Sequence, residues 1–252
     1  MKAMILAAGL GTRLRPLTED RPKALVEVAG HTLLEITLCR LSNFGIREVI
    51  VNAHHFADMV AEYLKKNGNF GMRIELSREE TLLDTGGGLK EAAWFFLEGS
   101  GHTSSGEEPF LLHNVDVISM IDLERMRQLL SPNDALAVVA VQDRETSRYL
   151  LFDEQGRLCG RQAGREGKPE LMRPADGVQA WAFSGVHVIS PRIFPLMTEE
   201  GAFPIIDCYL RLAAQGEKIL ALRADEYYWR DLGKPENVAQ AAEDVRHGIV
   251  SL

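Results

Sequence analysis

The 252-residue chain is poor in cysteine, with only Cys39, Cys159 and Cys208. They are widely spaced and form no C-x-x-C pair, which argues against structural zinc and a disulfide framework and suits a reducing cytoplasm. No apolar run approaches the roughly 18 residues that a membrane span needs. The stretch from Lys2 to Gly9 has a cation and then apolar residues, but arginines follow at once, so it reads as a buried first strand rather than a secretion signal. Positive charge is in the minority: 28 Lys and Arg stand against 36 Asp and Glu, a net charge of −8. That balance argues against general binding to nucleic acid or anionic membrane. The phosphate-binding pattern G-x-x-x-x-G-K-[ST] is absent, which disfavours an ordinary P-loop NTPase. There is no internal repeat, and no His or Cys cluster offers a soft metal site.

What is present is an alternation of strand-like and helix-like segments. The runs at 2–8, 48–52, 72–76, 109–113 and 135–142 read as strands, several of them continuously apolar, as strands buried on both faces of a parallel sheet are. Helical spacing appears at 32–44 with Gly45 as its stop, at 56–68 with Val60 and Leu64 on one face, and at 89–97. Asp122 is placed to cap a helix bearing Leu123, Met126 and Leu130. Residues 98–108, all small, polar or acidic, read as a mobile surface loop. From about 149 the pattern turns to a hairpin around Glu154-Gln155-Gly156, then a long β-type run at 178–190. Helices return at 204–214 and 235–247, the latter with Pro235 in its first turn. The expected organisation is one doubly wound α/β domain: a nucleotide-binding part at 1–147, an antiparallel lobe at 148–230 and a closing helix at 231–252.

The stretch ILAAGLGTRLRPLTEDRPKAL (5–25) concentrates the chemistry. An apolar strand running into Gly9-Leu10-Gly11 lets backbone N–H groups approach a phosphate closely. A dinucleotide fingerprint would place a third glycine at 14, where Leu14 stands, so a Rossmann dehydrogenase does not fit. Arg13, Arg15, Arg21 and Lys23 follow instead. Arg13 can grip a phosphate bidentately and Lys23 offers a compact mobile charge. This much cation suggests a triphosphate together with a second phosphorylated substrate. Asp116 and Asp231 each follow an apolar or aromatic strand and suit Mg²⁺, a hard ion bound by few carboxylates plus waters and substrate phosphates. Taken singly, each reads more readily as a cap, Asp116 of a turn and Asp231 of the last helix; together, beside the cation-rich loop, they suit the metal. His54-His55 reads as surface, and His113 and His187 lie on strands.

The segment LAAGLGTRLRPLTEDRPKALVEVAG resembles the signature of the sugar-1-phosphate nucleotidyltransferases, or nucleotide-sugar pyrophosphorylases. DTGGGL (84–89), HNVDV (113–117), FSGVHVIS (183–190) and YWRDLGKPENV (228–238) resemble further motifs of that family, in the same order. The resemblance implies a Rossmann-like, mostly parallel sheet of the glycosyltransferase-A type with a small sugar-binding lobe. It implies transfer of a nucleotidyl group from an NTP to a sugar 1-phosphate, with Mg²⁺ and release of pyrophosphate. Arg13 and Lys23 would be catalytic, and Asp116 and Asp231 would hold the metal. Ala8, Gly9, Leu10, Gly11, Thr12 and Arg13, with a glycine turn at Thr85, Gly86 and Gly87, and Asn114, would bind the nucleotide. Gly185, Lys168 and Asp207 would face the sugar. Val115 stands where the family has glycine, and a β-branched side chain there is expected to bring bulk toward the ribose.

The T-G-G-G segment most resembles N-acetylmuramate 1-phosphate uridylyltransferases, which favours UTP. A mannose-1-phosphate guanylyltransferase or a cytidylyltransferase of the same family is the alternative, and a silent nucleotide- or sugar-binding regulatory module is the non-enzyme alternative. No acyltransferase domain is expected after the last helix, and a monomer or small homo-oligomer is expected.

Overall fold

The computed structural model describes residues 1–98 and 108–252; most of the loop expected at 98–108 lies outside the described residues. Strand β1 (Ala3–Leu6) leads through the opening loop to a short hairpin, β2 (Glu27–Val28) and β3 (His31–Thr32), and to helix α1 (Leu33–Asn43). There follow β4 (Glu48–Ala53), α2 (Ala57–Lys66), β5 (Arg73–Arg78), α3 (Asp84–Glu91) and α4 (Ala93–Leu97). Next come β6 (Phe110–Asn114), β7 (Val117–Ser119), α5 (Leu123–Leu130) and β8 (Ala137–Gln142). The lobe supplies β9 (Arg148–Phe152), β10 (Leu158–Ala163), β11 (Glu170–Leu171) and the long β12 (Gln179–Ile189). The chain then adds α6 (Ile205–Ala214), β13 (Ile219–Arg223), β14 (Trp229–Asp231) and α7 (Pro235–Arg246).

One large sheet runs β11-β10-β9-β12-β6-β1-β4-β5, with β8 paired to β12 and β13. Strands β6, β1, β4 and β5 are parallel to one another, and β12 crosses back antiparallel to β6, β8 and β9. The unbroken apolar run of β1 has a simple cause. Ala3 and Ile5 enter one core layer, with Leu34 of α1, Val60 of α2 and Val238 of α7, while Met4 and Leu6 enter the other, with Leu89, Phe95 and Tyr209. With helices on both faces, neither side of the strand meets water.

The caps fall where the side chains allow. Thr32 Oγ1 accepts from Glu35 N at the start of α1, Asp122 Oδ1 accepts from Arg125 N at the start of α5, and Gly45 takes φ +78° after α1. Helix α7 has Lys234, not Asp231, at its N-cap, so the Asp231 carboxylate is left for other work.

Three expectations are corrected. Thr85–Gly88 is not a turn but the body of α3, and the single helix expected at 89–97 is two short ones meeting at Ala92. Glycine weakens a helix interior by about 1 kcal/mol per residue; here it is used for close approach. A Cβ on Gly86 would lie 2.3 Å from the Phe203 ring, on Gly87 2.4 Å from the Gly201 carbonyl, and on Gly88 2.6 Å from Glu79 Oε1. Val115 brings no bulk toward a ligand either. It is buried in the same core layer as Ala3 and Ile5, and its N–H donates to Leu6 O.

Candidate active site

Parallel sheets bind ligands beyond the C-terminal ends of their strands, and here those ends carry polar residues. Asn52, at the end of β4, accepts from the N–H groups of Ala7 (2.7 Å) and Ala8 (3.3 Å) through Oδ1. Its Nδ2 donates to Glu79 Oε1 at 2.6 Å, and Glu79 Oε2 accepts from Leu83 N. Both side chains are buried. This chain of bonds ties the exit of β1 to the entrance of α3 and holds the walls of a cavity of about 410 Å³ between them. Neither residue was singled out from sequence. The available signal was a polar side chain closing an otherwise apolar strand, as in VIVN.

The opening loop follows from β1. Gly11 takes φ +64°, where a side chain is strained, and its carbonyl accepts from Leu14 N and Thr18 Oγ1. Leu14 is only 1% exposed. The residue standing where a dinucleotide fingerprint needs glycine is thus a plug that anchors the loop in the core. The loop reaches the large cavity with Ala8, Gly9 and Lys23, and a smaller adjoining one, of about 160 Å³, with Gly9, Gly11, Thr12, Arg13 and Lys23. Leu10 lines neither cavity and is exposed. The four basic residues divide: Arg13 and Lys23 face the cavities, while Arg15 is exposed outside them and Arg21 pairs with its neighbour Asp20 at 2.9 Å.

A small antiparallel ladder brings the backbones of the two aspartates side by side. β14 pairs with β7 so that Asp231 stands opposite Val117, and Leu232 N donates to Asp116 O. Asp116 Oδ2 lies 3.3 Å from Lys23 Nζ, with both side chains largely buried. Asp231 Oδ1 accepts from Gly233 N at 2.6 Å. A methyl group on Gly233 would sit 2.8 Å from Asp231 Oδ1 and 2.9 Å from Arg13 Nη2, so this glycine admits the guanidinium beside the carboxylate. Arg13, Lys23 and Asp116 therefore line the smaller cavity, and Asp231 stands behind its wall through Gly233. Among the described residues no group of three or more His, Cys, Asp or Glu is arranged to hold a metal. The hard donors nearest the smaller cavity are Asp116, which lines it, and Asp231 beside Gly233, while Glu79 and Asp84 line the larger one.

The remaining candidates are distributed as follows. Asn114 and Thr85 line the large cavity. Thr85 Oγ1 also accepts from Ile205 N, fastening α3 to the start of α6. Gly86 and Gly87 lie buried against Phe203 and Gly201 and line neither cavity. Gly185 sits at φ +76° where β12 shifts register, packed against Asn114 and Val117. Lys168 is exposed and lines neither cavity. Asp207 is also exposed and is ion-paired with Arg161 at 3.1 Å, because α6 turns Cys208, Tyr209 and Leu212 inward and its carboxylate outward.

His54 Nδ1 contacts Glu79 O at 2.8 Å. His113 and His187 are fully buried. Burial pushes His113 down to about 4 and His187 to about 3, so both are neutral bases of the core. His113 Nδ1 meets Asn114 O, and His187 Nδ1 meets the Tyr209 hydroxyl.

The nucleotidyl transferase family model matches residues 2–248. An N-acetylmuramate alpha-1-phosphate uridylyltransferase of Caulobacter vibrioides is 35% identical over 253 residues, covering 97% of this chain and 96% of the relative. A mannose-1-phosphate guanyltransferase beta-B of Xenopus laevis is 28% identical, covering 98% of this chain and 66% of its own length. A crystal structure of UDP-glucose pyrophosphorylase complexed with UDP-glucose superposes with a TM-score of 0.74 at 18% identity, covering 98% of each chain, which is a likeness of fold. The match spans both cavities, the Asp116–Asp231 ladder and the lobe, and the chain belongs to the nucleotidyl transferase family.

Proposed function

We propose that the chain transfers a uridylyl group from UTP to a sugar 1-phosphate, with N-acetylmuramate 1-phosphate as the favoured acceptor, and releases pyrophosphate. The observation that carries this reading is the convergence of Arg13, Lys23 and Asp116 on one small cavity beside a larger one, with Asp231 bonded to Gly233 of its wall. The choice of uridine and of the muramate sugar rests on the similarity to the Caulobacter vibrioides enzyme.

A phosphate oxygen of the acceptor attacks the α-phosphorus in line. The new O–P bond forms as the bond to the β-phosphate oxygen breaks, and pyrophosphate carries away the electron pair. The nucleophile is already an anion at neutral pH, so no general base is required, and rate comes from positioning and charge neutralisation. The backbone of residues 8–12 cradles the triphosphate. Arg13 meets the β- and γ-phosphates as they become the leaving group. Lys23, resting on Asp116 in the free protein, moves to the α-phosphate and the acceptor phosphate. The larger cavity, with Asn52, Glu79, Thr85 and Asn114 on its walls, receives the nucleoside.

The donor set fits Mg²⁺, since two adjacent carboxylates leave the remaining positions to water and phosphate oxygens. Asp116 and Asp231 would hold the ion, which would supply charge neutralisation at the phosphates when bound. Five nucleoside triphosphates tested against a panel of sugar 1-phosphates with Mg²⁺, scored by pyrophosphate release, test the proposal. The expected result is strongest release with UTP and N-acetylmuramate 1-phosphate. Release only with GTP and mannose 1-phosphate would favour the guanylyl alternative. Silence in every combination would favour a binding module.

A further inference from the structure

Loop 143–147, between β8 and β9, holds a cation that the reading above does not use. Its acidic neighbours are already neutralised: Arg165 pairs with Asp143 at 2.9 Å and with Glu145 at 3.0 Å. Arg144 between them has no ion-pair partner among the described residues. Its Nη2 donates to Phe183 O at 2.6 Å, its guanidinium carbon lies 4.0 Å from the Trp229 ring centre, and its buried Nε has no partner.

The seat is built rather than incidental. Gly185 at φ +76° and the register shift between Phe183 and His187 break the β12 ladder beside Asn114. That bulge frees two carbonyls: Phe183 O takes Arg144, and Ser184 O takes Trp229 Nε1 at 2.7 Å. Bulges re-aim side chains in this way at the edges of sites. Trp229 and Asp231 are two apart on β14, so their side chains leave the ladder on the same face, roughly 7 Å apart along the strand. Burial lowers the Arg144 guanidinium below its ordinary value while the charge of Asp231 opposes that shift, which puts the two within electrostatic reach.

Asp231 is thus flanked by two guanidiniums. Arg13 stands on the triphosphate side, over Gly233, and Arg144 on the lobe side, over Trp229. A half-buried cation without a counter-ion is costly unless an anion completes it. Arg144 lines neither cavity, and its stacking partner Trp229 is two residues from Asp231, so an anion meeting it would stand roughly 7 Å along the strand from that carboxylate.

We propose that Arg144 is a specificity residue that receives a carboxylate carried on the sugar ring of the acceptor. This deepens the proposed function and rests on it. An arginine fork matches a carboxylate bidentately, and its Trp229 stack and Phe183 bond hold it ready.

The test compares wild type, Arg144→Gln and Arg144→Lys on two acceptors differing only in the carboxylate-bearing group, N-acetylmuramate 1-phosphate and N-acetylglucosamine 1-phosphate. Turnover is measured with UTP and Mg²⁺, and acceptor binding by calorimetry. Circular dichroism melts establish that the variants fold. The expected result is a wild-type preference for the carboxylate sugar. Arg144→Gln should lower its kcat/KM roughly 10- to 100-fold, mainly through KM, and change the neutral sugar less than about 3-fold. Arg144→Lys should retain part of the preference. Equal losses on both acceptors, a preference that survives Arg144→Gln, or no wild-type preference in turnover or in binding would each overturn the proposal. Failure of the transfer reading is separately visible as absence of pyrophosphate with every acceptor, while calorimetry still reports on Arg144.

Discussion

The two walls of the cleft are assembled in opposite ways. The proposed phosphate side is nearly one uninterrupted stretch, residues 5–25, whose glycines, cations and plug lie within a few turns of chain. It is braced from below by Asn52 and Glu79 through backbone bonds to Ala7, Ala8 and Leu83. The proposed sugar side gathers Arg144, Phe183 and Trp229 from three distant segments, and ion pairs knit much of the lobe surface, as in Arg161–Glu170 and Arg173–Asp153. A phosphate is the same in every nucleotide and can be met by a local motif. A sugar is particular, and its wall depends on which loops the fold happens to bring together.

The largest break in this comparison is expected at the nucleotide wall. Lys23→Ala should lower kcat by roughly 10²- to 10³-fold, the size seen when one preorganised charge-stabilising group is lost. Affinity for UTP, measured by calorimetry, should change far less; equal losses in both would count against a bridging role for Lys23.

The lobe should break by unfolding instead. Asp153 is buried and accepts from the N–H groups of Gln155 and Arg157, with Arg157 Nε at 3.0 Å and Arg173 at 2.7 Å. Asp153→Ala leaves those donors and charges unmatched and should cost about 3 kcal/mol, read as a lower denaturant midpoint. A midpoint equal to that of wild type would show the lobe to be held by other contacts.

Gly86→Ala tests the junction of the two halves. The 2.3 Å approach to Phe203 predicts a loss of about 1–3 kcal/mol, and Phe203→Leu in the same chain should recover part of it. If the double variant is no more stable than the single one, crowding against the ring is not the cause.

The smallest effect is on acid stability. An exposed histidine in the unfolded chain takes up a proton near pH 6.5, whereas burial holds His113 at about 4 and His187 at about 3 in the folded protein. Between those limits the unfolded chain binds more protons, so stability should decline as pH falls from about 6.5 toward 4. Asp153, whose carboxyl is held below its ordinary value by its backbone and arginine partners, contributes stability that is lost only below that window. His187→Phe should flatten the difference between urea midpoints at pH 7 and pH 5. An unchanged slope would assign the acid sensitivity elsewhere.

The sequence by itself determined the alternation of strands and helices, and it singled out the opening loop as a candidate phosphate site with Arg13, Lys23, Asp116 and Asp231 as its candidate residues. These are readable because periodicity, capping and a contiguous motif are local properties of the chain. Other features were decided only by tertiary packing. Leu14 and Val115 look like departures from glycine patterns, yet both are core residues, a fact that depends on what lies beneath them. The glycines of α3 look like a turn until Phe203, Gly201 and Glu79 are packed against them. Asn52 and Glu79 become a brace, and Arg144 a cation with no ion-pair partner among the described residues, only through contacts spanning tens of residues. Lys168 and Asp207, expected near the sugar, both lie exposed, and neither lines a cavity. Whether a charged side chain enters a cleft or meets solvent is set by how elements far apart in sequence pack together, and no local pattern encodes that.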